Sequence, residues 1–87
     1  MILEIFEAEG YTLPTDIDVL LINMKKKHAE DLGIKKIKIS DKQEIKKHKD
    51  VVQVLAQQGL DALPVIKMDG KIVEHENLEN LLHKKLG

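Results

Sequence analysis

Ala62-Leu63-Pro64-Val65-Ile66-Lys67-Met68-Asp69-Gly70-Lys71-Ile72-Val73 is the stretch that decides the fold. An Asp-Gly pair between two apolar runs is a strong hairpin signal. A two-residue turn of the primed type needs positive φ at both central residues, and Asp and Gly tolerate it. The spacing predicts a strand over 65–68, a turn at Asp69-Gly70 and a second strand over 71–73. Pro64 lacks an N–H to give to a ladder, so it suits the position just ahead of the first of these strands. Beyond the hairpin, Leu78, Leu81, Leu82 and Leu86 recur at helical spacing and predict a last helix over 75–86.

Working back from the hairpin, the same periodicities place the other elements. Ile2-Leu3-Glu4-Ile5-Phe6 reads as a short apolar strand, and residues 7–14 read as a loop broken by Gly10 and Pro14. Thr15 fits a helix N-cap, with Asp16 and Asp18 in the first turn, where acids favour the helix dipole. Ile17, Leu20, Leu21, Met24, His28 and Leu32 continue the stripe, so this helix is expected over 15–32 with Gly33 at its C′ position. A second strand is expected over 34–39. There Ile37 and Ile39 alternate with Lys36 and Lys38, as in an edge strand guarded by lysines. Ser40 and Gln43 have capping-box spacing. A further helix is clearest over 50–58, with Val51, Val54, Leu55 and Gln58 along one side and Gly59 as its stop. The pattern over 43–49 leaves helix and loop open.

The resulting order is β-α-β-α-β-β-α in one domain, residues 1–87. The first two strands must run parallel, because a helix joins them. The last two form an antiparallel hairpin. This predicts an α/β fold with a four-stranded mixed sheet and helices on both faces.

Composition narrows the function classes. The chain has 43% hydrophobic and 33% charged residues, which suits an ordinary folded domain. Its longest apolar run, Val19 to Ile22, is far short of a membrane span. No basic leader with a cleavage site is visible, and the expected location is cytoplasmic. The net charge of −1 hides an uneven distribution: residues 1–24 hold five acids and no lysine, and residues 25–49 hold ten lysines against four acids. All 14 basic residues are lysine. Without arginine there is no bidentate fork for guanine edges or phosphates, so specific nucleic-acid binding is not expected. The lysine runs read as solvated faces.

Three segments carry a family resemblance. They are Leu3-Glu4-Ile5-Phe6-Glu7, Thr15-Asp16-Ile17-Asp18, and Gly59-Leu60-Asp61-Ala62-Leu63-Pro64-Val65 followed by Asp69-Gly70-Lys71. In this order they resemble the ArsD family of arsenic-resistance metallochaperones and transcriptional repressors, within the thioredoxin-like superfamily. The resemblance implies a thioredoxin-like fold, a cis bond before Pro64 and a homodimer. It also implies that Pro64 faces the loop after the first strand. That family holds trivalent arsenic or antimony with loop cysteines, and soft thiolates select such ions. Here the loop is Ala8-Glu9-Gly10-Tyr11-Thr12-Leu13-Pro14, and the chain has no cysteine at all. No metalloid ligand carries over, and no cofactor is expected.

The candidate site is therefore a binding face made by Tyr11, Thr12, Leu13, Leu63 and Pro64, where a protein partner could dock. The competing reading is fold architecture at Pro64 and a closed-over loop at residues 9–13. Thr12 cannot run thiol–disulfide exchange, which needs a thiolate. The chain is expected not to be an enzyme. A redox domain whose cysteines were removed, or a stability scaffold, remain the alternatives. Glu4, Glu7, Glu9, Asp16 and Asp18 could form an acidic mouth but lack a calcium-loop pattern, and dipole and solubility roles suit them better. His28, His48, His75 and His83 lack metal-site spacing. His28 reads as a boundary residue, and the other three read as exposed.

Overall fold

In the first strand, Leu3 and Ile5 point to one face and Phe6 to the other, and all three are fully buried. A strand buried on both faces belongs inside a sheet. In the computed structural model, which describes residues 1–87, β1 (Ile2–Glu7) indeed lies in the interior of a four-stranded mixed sheet of order β2-β1-β3-β4. β2 (Gly33–Lys38) runs parallel to β1, with Leu3 level with Ile34 and Phe6 level with Ile37. β3 (Val65–Met68) is antiparallel to β1, and β4 (Lys71–Val73) is antiparallel to β3. The hairpin falls where the Asp-Gly signal placed it. Asp69 and Gly70 both take positive φ, 49° and 88°, as a primed turn requires.

Four helices cover the two faces. α1 (Thr15–Lys27) and α4 (His75–Leu86) lie against the face of Leu3, Ile5, Ile66 and Met68, and contribute Ile17, Leu21, Met24, Leu78 and Leu82. α2 (Lys42–Ile45) and α3 (Lys49–Gln58) lie against the face of Phe6, Ile37 and Val65, where Val51 is fully buried. The two apolar layers are unequal, with 11 buried residues on the first face and 5 on the second.

Three boundaries differ from the sequence expectation. α1 stops at Lys27 rather than continuing to residue 32, and Gly33 opens β2 rather than capping a helix. The cause is register. Gly33 must lie beside the start of β1, where its N–H donates to the Met1 carbonyl at 2.8 Å. Residues 28–32 therefore reverse the chain. The N–H groups of Asp31 and Leu32 both donate to His28 O, and Lys25 Nζ donates to the carbonyls of Ala29 and Leu32. Leu32 still reaches the core, only 1% exposed, by way of this turn and not by helical periodicity.

At the other end of α1, Pro14 holds the N-cap position and Thr15 is the first helical residue. No side chain caps this end, and Pro14 O accepts from Asp18 N–H. In the third difference, α2 is a separate short helix, which makes the order β-α-β-α-α-β-β-α. Its cap is Asp41, whose carboxylate accepts from Glu44 N–H at 3.3 Å, and not the Ser40–Gln43 pair. A carboxylate at the N-cap also meets the helix dipole. α3 ends at Gly59, whose φ of 69° with ψ of −159° is open to glycine but strained for other residues. A single 3-10 turn, Gly59–Ala62, then leads to Leu63.

Candidate functional site

The loop after β1 folds back on itself through Tyr11 N–H donating to Ala8 O at 3.1 Å. This turn swings the Tyr11 ring towards the segment ahead of β3. Its hydroxyl donates to the Leu63 carbonyl at 3.0 Å. The loop and the Leu63–Pro64 segment, 52 residues apart in sequence, are thus joined directly, and the Leu63–Pro64 bond is cis.

The five candidate residues are not equally available. Thr12 is exposed and Tyr11 is half-buried. Leu13 packs into the α1 layer, Leu63 packs into the α3 layer, and Pro64 is fully buried. The backbone carbonyls of Leu63 and Pro64 are both occupied, the first by the Tyr11 hydroxyl and the second by His75 Nε2. The open surface beside them is a groove of about 620 Å³ lined by Pro64, Val54, Gln58, Val73 and His75. His75, at the start of α4, is the link that sequence reasoning missed. Removing only the Tyr11 hydroxyl, with Tyr11→Phe, is expected to cost about 1 kcal/mol, the usual worth of one such bond. Urea titration of the two proteins gives the difference. No change would mean that the loop is held by ring packing alone.

The acids of the first 24 residues do not gather into a mouth. Glu4 faces His48, with 3.6 Å between Oε2 and Nε2. Glu7 is buried at the end of β1 and pairs with Lys38 at 3.0 Å. Glu9, Asp16 and Asp18 are exposed. No three His, Asp or Glu side chains converge as metal ligands.

A second polar constellation sits under the start of α3. Lys67 lies on β3 with a side chain only 8% exposed. Its ammonium donates to Asp50 Oδ1 at 2.8 Å and lies 3.0 Å from His48 Nδ1. With Nδ1 accepting from Lys67, neutral His48 carries its proton on Nε2, on the side of Glu4. The His48 ring meets the Phe6 ring edge-on at 4.7 Å. His48 is therefore largely buried, contrary to the exposed position expected from sequence. Its place as the residue before α3 drops it onto the sheet beside Phe6. The clue in the sequence was Lys67 itself, a charge inside the four-residue apolar strand 65–68, which needs partners once buried. The same cross-strand register sets Glu4 opposite Lys67.

Three carboxylates are held below their usual range. Partial burial pushes Asp50 up, but the Lys67 hydrogen bond, the Val51 N–H and the Lys67 charge outweigh it. Asp69 is lowered first by the Ile2 N–H, against some burial, and then by Lys85 and the N-terminal ammonium. Glu44 is lowered by its hydrogen bond to Lys47 and by the charges of Lys35 and Lys47. Each group binds its proton more weakly when folded, so each adds stability above its unfolded value. That contribution fades as pH falls through about 4 and below. Urea midpoints are expected to be similar at pH 7 and pH 5 as far as these groups go, and to fall at about pH 3. A midpoint that holds at pH 3 would show these contacts to be negligible.

Compared with protein-family models, with curated proteins and with solved structures, the chain matches none. No helix is long and apolar enough to cross a membrane.

Proposed function

We propose that this chain is a non-catalytic, thioredoxin-like partner-binding domain of ArsD-like descent, working in the cytoplasm without its metalloid chemistry. The observation that carries the reading is the Tyr11 hydroxyl seated on the Leu63 carbonyl. It ties the loop after β1 to the residue before Pro64, which supports the arrangement expected of a thioredoxin-like site. It also fills that place with a neutral hydroxyl in a chain without cysteine. The sheet order β2-β1-β3-β4 with only β2 parallel to β1 supports the same superfamily. A partner would dock on the exposed part of the 9–13 loop, with Tyr11 and Thr12 foremost, and on the groove beside Pro64. The closed carbonyls of Leu63 and Pro64 leave side-chain and groove contacts as the means of recognition.

The test is a titration of the pure protein with trivalent arsenite, followed by calorimetry, with the mass in solution read by light scattering. The expected result is no heat of binding and a particle of twice 9.9 kDa. A monomer would remove the support for the regulator lineage and favour a bare scaffold. Arsenite binding without any thiol would overturn the account of the site.

A further inference from the structure

We propose that the free edge of β2, with the groove between β2 and α1, is a docking site for an extended acidic segment of another protein. The site shares Leu13 with the 9–13 loop but not the Tyr11–Leu63 contact, and it does not depend on that contact.

β2 is an end strand of the sheet, so one row of its backbone groups has no neighbour. Which groups these are follows from two bonds. Gly33 N–H donates to Met1 O at 2.8 Å, and Ile39 N–H donates to Glu7 O at 2.9 Å. In a parallel ladder, alternate residues turn the same way. Residues 33, 35, 37 and 39 therefore turn their N–H groups to β1, and Ile34, Lys36 and Lys38 turn theirs outward. Lys38 O is taken by Asp41 N–H at 3.0 Å. The outward N–H groups of these three residues and the carbonyls of Ile34 and Lys36 form a template for one added strand.

Beside this edge lies a groove of about 310 Å³. Its floor is Leu13, Leu21, Ile22 and Ile34, and Ile22 is 47% exposed. Lys25, Lys26 and Lys36 rim it, and Asp18 is its one acid. Lys26 and Lys36 form no ion pair within the chain, and Lys25 is spent on backbone carbonyls.

The charge chooses the occupant. Lys35 and Lys38 are paired with Glu44 and Glu7, so two copies pairing through this edge would bring the unpaired Lys36 of one near that of the other, and like charges across a ladder repel. The unpaired Lys26 and Lys36 attract an acidic strand. They exclude self-pairing while leaving the edge open to a partner of opposite charge. The fitting segment is short and extended, with an apolar centre over Ile22 and Ile34 and acidic residues on either side.

The probe is the capped peptide Glu-Glu-Val-Ile-Val-Glu-Glu, titrated into the full chain and followed by amide chemical shifts. The expected result is movement of the Ile34, Lys36 and Lys38 amides and of the α1 amides around Ile22. The capped peptide Lys-Lys-Val-Ile-Val-Lys-Lys should move none of them. Lys36→Glu should weaken binding about tenfold. Lys36→Pro should also weaken it, because it deletes an outward N–H and spares the ladder to β1. Thermal melts of both variants show whether the fold is kept, and Lys26→Glu supplies the charge test if the proline variant unfolds. Equal response to the two peptides, shifts confined to residues 9–13, or no shift would overturn the proposal. So would a dimer of the chain formed through these same amides.

Discussion

Phe6→Ala is expected to remove a large share of the folding stability of this domain. Phe6 is fully buried and is the largest side chain of the smaller apolar layer, packed with Ile37, Val51, Leu63 and Val65. Truncating such a residue removes its transfer free energy and leaves a cavity, about 3–5 kcal/mol in total. A domain of this length has only roughly 5–10 kcal/mol to lose. The layer is also poorly placed to close the gap, because the His48 ring packs edge-to-face with Phe6 and His48 in turn holds Lys67. Collapse into the cavity would pull on a charged network. Urea denaturation followed by circular dichroism gives the value. A loss below about 1 kcal/mol would show that the α3 face is loosely packed.

The second large effect is an asymmetry between Asp50 and Lys67. Asp50→Asn is expected to cost about 2–3 kcal/mol. It leaves a nearly buried ammonium with no carboxylate, and an orphaned buried charge is expensive. The figure lies below the usual range for such changes because Asp50 is itself 47% exposed and therefore screened. Lys67→Met keeps the volume and removes the charge, and leaves Asp50 free to hydrate. It is expected to cost less than about 1 kcal/mol, the residue coming from the donor lost at His48 Nδ1. The order of the two variants in one denaturant series is the check. If Lys67→Met proves the more harmful, the ammonium is a net stabiliser and the desolvation argument is wrong.

The parts of this fold that could be read from the sequence are those whose cause is local. The Asp69-Gly70 turn is set by its own backbone preferences, so β3 and β4 fall on the expected residues. The leucine stripe of α4 gives that helix its full length. α1 was read too long because Leu32 keeps helical spacing although it reaches the core through a turn that β-register imposes. α2 could not be read, since four residues are too few to carry a period. In the candidate site, that the 9–13 loop faces Pro64 is only what the family resemblance implies, and the bond from Tyr11 to the Leu63 carbonyl could not be read from the sequence. The Lys67, His48 and Asp50 cluster left only the lone charge of strand 65–68 as a clue, because its members meet only after α3 settles on the sheet.

The inequality of the two apolar layers has a dynamic consequence. α3 is held by one fully buried side chain, Val51, while α1 and α4 together sink five. Opening of the α2–α3 half should therefore require less free energy than global unfolding, and hydrogen exchange should find these amides released first, as a cooperative unit of their own. The Leu63 carbonyl hangs from the end of that unit, one 3-10 turn beyond α3. Each opening would let go of the Tyr11 hydroxyl. How long the loop after β1 stays shut is then set by the thin layer on the far side of the sheet, and not by the loop.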